Sequence, residues 1–209
     1  MKKNGFKIMT IAAIILTIIT GPLVSYAYTI STDDLGRQIN GGITPNPSYI
    51  SMWSGFGDLT KTQFGNDCFT WNSSIGKNIV ARGSDTNANS FTDGAYVWNN
   101  QNEVSKVGSK NGYVAVTQEK TGIGWDGRNY IWEINMNVNA NQPFTNDPTP
   151  GAYHIQSILL HELGHVIGLA DLYTLILDNN KIMYYSSVYD NVKTLTSDDI
   201  NGAKSLYNY

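Results

Sequence analysis

Two histidines four residues apart, with a glutamate directly after the first, stand in the run His161-Glu162-Leu163-Gly164-His165. On a helix, residues at i and i+4 share one face a turn apart, so both imidazoles can aim at a single point. Zinc takes its nitrogen ligands at about 2.0–2.1 Å, and this spacing permits that. Glu162 is rotated to the neighbouring edge of the same face. From there a carboxylate can take the proton of a metal-activated water without occupying the metal itself. The bland alternative is a pair of histidines on an amphipathic helix beside a surface glutamate. It accounts less well for this pattern inside an otherwise apolar helix.

Gly168 and Asp171 follow at fixed spacing. A helix that ends abruptly and turns its chain back commonly places glycine just past its end, because glycine takes the left-handed conformation at low cost. Such a turn brings Asp171 back toward the histidines. A catalytic zinc takes three protein ligands and keeps a fourth position open, and two histidines with one carboxylate is a known set. The alternative for Asp171 is a solvated carboxylate near the helix end, where the dipole slightly disfavours negative charge. The chain has only 3 histidines, and the third is His154. If the helix extends that far, His154 lies ~10 Å along the axis from His161 and cannot reach the same ion. It is then a polar residue near the helix start or part of a cleft wall. The third ligand must be a carboxylate or a tyrosine, and Asp171 is the one the glycine turn delivers.

These residues need a helix and something for it to pack on. "AYHIQSILLHELGHVIG" (152–168) is the longest helical signal. "DLTKTQFGNDCFTWNSSIG" (58–76) has Phe64, Cys68 and Trp71 on one side at helical spacing. Strand candidates are "YISMW" (49–53), "NIVARGS", "NEVSKV", "GYVAVTQ" (112–118) and "IWEINMNV" (131–138). The last alternates, with Trp132, Ile134, Met136 and Val138 on one face. Residues 28–48 are turn-rich and weakly periodic; they read as a leader or a loose N-terminal segment, the alternative being an irregular packed loop.

Residues 1–27 begin with a basic stretch, continue through the apolar run "IMTIAAIILTIIT" and end in small residues at Ser25 and Ala27, the pattern of a secretory signal. The run is shorter than the ~20 residues a spanning helix needs, so cleavage after Ala27 is expected. The expectation is a secreted, extracellular protein with no membrane contact after cleavage. Formal net charge is −3, and removal of Lys2, Lys3 and Lys7 makes the remainder more acidic, which argues against nucleic acid as a partner. Cys68 is the only cysteine, so no internal disulfide can form; it reads as a small buried core thiol.

The string His161-Glu162-x-x-His165-x-x-Gly168-x-x-Asp171 closely resembles the metzincin metalloprotease signature. "KIMYYSS" (181–187) looks like the Met-turn, which implies that Met183 forms an apolar floor beneath the zinc. "LTSDDINGAKSLY" (195–207) looks like the final helix of the matrixins, and "GYVAVTQ" and "IWEINMN" fall where bacterial matrixin-like proteins carry the last two strands before the active-site helix. The resemblance covers about residues 95–209. Matrixins usually have histidine as third ligand; aspartate there is similar to the small snapalysin-type enzymes. The histidine-held structural zinc of many matrixins is not expected here, because only His154 remains. A cysteine switch is not expected either, since Cys68 lies in "GNDCFTW". Tyr185, two residues after Met183, is implied by astacin-like and serralysin-like metzincins as a candidate oxyanion donor. Tyr184 matches the mainly structural matrixin tyrosine. The resemblance also suggests calcium, with Asp85, Asp93 and Asp147 as loop donors, although no complete calcium-loop pattern is present.

The combined expectation is an α+β metzincin (zincin-like) catalytic domain over 49–209: a twisted mixed β-sheet, an active-site helix, a Met-turn and a C-terminal helix. Its activity would be zinc-dependent peptide-bond hydrolysis with one catalytic zinc and Glu162 as general base. A protein or peptide substrate would pair with the edge strand "GYVAVTQ" of a monomer. The rivals are a secreted zinc-containing binding module, suggested by 5 tryptophans and 13 tyrosines, and an inactive metzincin homologue. A structural zinc usually has four protein ligands and no fourth candidate is evident; an intact Glu162 argues against inactivity.

Overall fold

A computed structural model of the chain describes residues 28–89, 91, 98–186 and 194–207. The expected signal segment and Asp93 lie outside the described residues. In chain order the elements are β1 (Thr29–Ile30), β2 (Gly42–Ile43), β3 (Ser48–Trp53), α1 (Asp58–Ile75), β4 (Val80–Thr86), β5 (Asn102–Ser105), β6 (Ala115–Ile123) and β7 (Asn129–Val138). They continue as β8 (Phe144–Thr145), β9 (Tyr153–His154), α2 (Ile155–Val166), β10 (Leu169–Ala170), α3 (Leu175–Asp178) and α4 (Ser197–Tyr207).

The main sheet is mixed. β4, β3, β5 and β7 lie side by side in parallel, and β2 pairs in parallel with the start of β7. β6 pairs with β7 antiparallel and forms an edge. The parallel strands need helical crossovers, and α1 supplies the one between β3 and β4. α1 stops where Gly76 takes φ 83° and donates its N–H to Asn72 O. The Asn72 side chain then accepts from Ile79 N and Val80 N, which starts β4 directly.

The core lies between the sheet and the helices. Phe64, Cys68 and Trp71 of α1 meet Leu159, Leu163 and Val166 of α2 and Ile131, Ile134 and Met136 of β7 in one cluster, all at 2% exposure or less. Each such aliphatic or aromatic side chain contributes roughly 1.5–3 kcal/mol through burial. Trp71 also donates its indole N–H to Leu160 O at 3.0 Å, which ties α1 to α2. Burial, aided by the neighbouring Asp67, pushes the Cys68 thiol up to about 12, so it is an inert core group.

Several expectations need correction. The segment 28–48 is not loose: Ile39 and Ile43 are fully buried, β1 pairs with β10, and Ile43 N donates to the Tyr207 hydroxyl. Its packing rests on a few isolated apolar residues and on backbone pairing, which produce no periodic pattern. The edge strand starts at Ala115 rather than Gly112 and runs on through Ile123, although "EKTGI" has few strand-favouring residues. Trp132 does not join Ile134, Met136 and Val138 inside. The pairing shifts between Lys120 and Thr121, a bulge that moves Trp132 outward to 47% exposure and puts Ile131 in the core. Finally, α2 starts at Ile155, with His154 as its N-cap accepting from Ser157 N.

Asp67 has no place in the chemistry anticipated from the sequence. It is 1% exposed between α1 and α2; Gln156 donates to Oδ1 at 3.1 Å, and Oδ2 has no partner. Burial raises its carboxyl to about 7, against only one compensating bond. The folded state therefore binds this proton more tightly than the unfolded state. The matching stability is present below pH ~4 and is lost as pH rises toward 7, on the order of 4 kcal/mol in all. Asp67→Asn should flatten that slope in denaturant midpoints measured from pH 4 to 8; an unchanged slope would show that Asp67 is solvated.

Candidate metal centre

α2 sits on the floor of a cleft of about 510 Å³ whose wall is β6 and the residues leading into it. His161, Glu162 and His165 all line it, as their helical spacing requires. Beyond His165 the helix ends at Gly168, which has φ 106°, and its N–H donates to His165 O. Leu206 and Ile39 crowd the space a side chain at Gly168 would need. This turn brings Asp171 back to the histidines as the spacing predicts.

Both imidazoles are oriented by main-chain carbonyls. His161 Nδ1 lies 2.7 Å from Ile182 O, and His165 Nδ1 lies 2.8 Å from Leu169 O. A carbonyl only accepts, so each Nδ1 carries the hydrogen and each Nε2 presents a lone pair. The two Nε2 atoms are 3.2 Å apart, and Asp171 Oδ1 lies 3.3 Å from one and 3.5 Å from the other. Asp171 Oδ1 is buried and receives no aligned hydrogen bond. Three acceptors facing one another repel unless positive charge stands among them. A tetrahedron with zinc–ligand distances of 2.0–2.1 Å has edges of about 3.3–3.4 Å, so the three measured edges fit that ion. Among the described residues this is the one group of three or more His, Cys, Asp or Glu donors close enough to share a metal.

The charge balance agrees. Burial would depress the His165 imidazole, but Asp171, Glu162 and Glu119 push it up to about 9. Burial would raise the Asp171 carboxyl, but the two imidazoles outweigh it and hold it far below the usual carboxylate range. The trio favours positive charge at its centre, as a proton or as a metal dication.

The supports of the site come from distant parts of the chain. Asp199 of α4 accepts from Ile182 N and Met183 N at 3.3 Å each and so holds the turn whose carbonyl orients His161. Met183 is buried against Gly164, where any Cβ would collide with its sulfur. Lys181 bridges Asp178 at 2.9 Å and Asp198 at 3.0 Å on the same turn. Tyr173 donates to Asp171 Oδ2 at 3.4 Å and stacks on Tyr185, whose ring lies 5.1 Å away. Tyr184 is buried, and Tyr185 is 53% exposed on the cleft.

Thr117, Glu119, Tyr173 and Asp199 are functional-site residues that the sequence reading missed. Thr117 Oγ1 donates to Glu162 Oε2 at 2.6 Å. Burial raises the Glu119 carboxyl to about 7, despite His165 and a hydrogen bond from Ser31. The available signal was period-two alternation in "AVTQEKTGI", which puts Thr117 and Glu119 on one face of the strand. His154 stays out of the centre, its ring nitrogens engaged with Ser157 Oγ and Asn146 O. The calcium expectation finds no support: Asp85 is taken by Lys61 at 2.8 Å and by Arg82, and Asp147 is an exposed loop residue. Asp171→Ala should weaken zinc binding by more than the ~10–100-fold typical of losing an outer-shell partner, measured by competition with a chromogenic chelator. Unchanged affinity would remove Asp171 from the ligand set.

Comparison with known proteins gives one result that bears on this geometry. The family model of the matrixins matches residues 75–208, well over half of the chain. No curated protein matches it. The matched span contains α2, the Met-turn and α4, and the sheet is mainly parallel with an antiparallel edge, as a matrixin catalytic domain requires. The chain belongs to the matrixin family of zinc-dependent endopeptidases.

Proposed function

We propose that this matrixin is a secreted endopeptidase in which His161, His165 and Asp171 hold one zinc ion and Glu162 is the general base. The observation that carries this reading is the convergence of three acceptor atoms at tetrahedral edge lengths, with Glu162 beside them in the cleft. Zinc bound there supplies Lewis acidity, which polarises the scissile carbonyl and makes the attacking water easier to deprotonate. Glu162 takes the water's proton and delivers it to the leaving amine. Tyr185, on the cleft surface, is the candidate donor to the developing oxyanion.

The substrate is an extended peptide on β6. Among the described residues β6 pairs with β7 alone, which leaves its outer backbone edge open to an added strand. The adjoining residues from Gly112 to Thr117 line the cleft. The signal-like residues 1–27 support secretion. Among the described residues no helix is long and apolar enough to cross a membrane. The acidic balance supports a protein rather than a nucleic-acid partner, and a monomer suffices because one chain carries the whole trio.

The test is to express residues 28–209, measure zinc per chain, and compare casein cleavage with that of Glu162→Ala. One zinc per chain is expected in both, with cleavage reduced about 10²–10⁴-fold in the variant. Zinc binding with no cleavage by either protein would overturn the endopeptidase reading and leave an inactive homologue. Tyr185→Phe should lower kcat by about 10–100-fold with KM little changed; an unchanged kcat would remove Tyr185 from the oxyanion role.

A further inference from the structure

Glu162 has a partner that the metal-binding signature does not contain. Thr117 lies in β6 opposite Met136 of β7, and its hydroxyl reaches across the cleft wall to α2. The Oγ1–Oε2 distance of 2.6 Å falls in the short range of hydroxyl-to-carboxylate bonds. The same hydroxyl is 3.5 Å from Glu162 O, so it sits directly over this residue. A carboxylate accepts only, which makes Thr117 the donor. Glu162 Oε1 receives no hydrogen bond from the described residues. The two carboxylate oxygens are therefore inequivalent: Thr117 holds Oε2 and not Oε1, on a residue that lines the cleft.

We propose that Thr117 is a positioning residue for the general base: its hydroxyl clamps Oε2 and thereby presents Oε1 to the reacting water. The inference rests on the reading of Glu162 as that base. Proton transfer needs the base within about 2.6–3.2 Å of the proton it abstracts, and a glutamate released from the clamp regains its rotamer freedom. The clamp sits on the strand that the substrate pairs with. Substrate docking and base alignment thus share one piece of backbone, and a shift of β6 moves both. A packing role alone would not need the hydroxyl, because valine has nearly the same shape.

The test uses the full chain with three variants, Thr117→Val, Thr117→Ser and Glu162→Ala. Thr117→Val should lower kcat about 10–100-fold, with KM and zinc per chain unchanged, and Thr117→Ser should restore most of the loss. In metal-free protein, Thr117→Val should lower the melting temperature in the parent and not in the Glu162→Ala background, because the lost bond is already absent there. An unchanged kcat in Thr117→Val, or equal melting shifts in both backgrounds, overturns the proposal. If Thr117→Val does not fold, Thr117→Ala and Thr117→Ser are compared instead; equal kcat in those two also overturns it. Full activity in Glu162→Ala is the separate result that sinks the base assignment itself.

Discussion

The imidazoles of His161 and His165 are set by two main-chain carbonyls, and much of the molecule exists to hold those carbonyls in place. Ile182 O is fixed by the turn that Asp199 grips through Ile182 N and Met183 N. Leu169 O is fixed by the Gly168 turn and by the pairing of β10 with β1. With the hydrogen held at Nδ1, the Nε2 lone pairs have one direction to face, and Asp171 closes the triangle. The three candidate ligands occupy one short segment. Their orientation is drawn from the N-terminal β1, the turn after α2, the 182–183 turn and α4.

Close approach is the second requirement, and glycines meet it at the points that matter. Gly164 lets Met183 press against α2 one residue before His165. Gly42, with φ 66°, lies under the ring of Tyr207, whose hydroxyl donates to Ile167 O and accepts from Ile43 N. A single phenol thus joins the end of α4, the end of α2 and the N-terminal segment. A methyl group at either glycine would push apart elements whose separation sets the site.

What the sequence disclosed follows the range of the interactions. The histidine pair, Glu162 and the Gly168 turn are consequences of helix period and chirality within eleven residues, so they are legible without a fold. The five longest strands and the helices α1 and α2 also show in local patterning, whereas α4 is anticipated only from the family resemblance. Thr117 and Glu119 are different: their roles depend on β6 facing α2, a tertiary pairing that leaves nothing in the string but two polar residues at alternate positions. Trp132 misled for a related reason, since one bulge reverses the faces of a strand whose alternation looks unbroken. The segment 28–48 misled because its order comes from backbone pairing and two buried isoleucines.

The pairing of β1 with β10 has a kinetic consequence. Thr29 meets Ala170, partners separated by about 140 residues, and contacts that distant form late because the intervening chain must first be ordered. A growing chain gains Leu169 O with β10, Ile182 O with the Met-turn, and last Asp199, which holds that turn. The set of contacts that orients the two imidazoles is therefore complete only once α4 has docked and Asp199 holds the 182–183 turn.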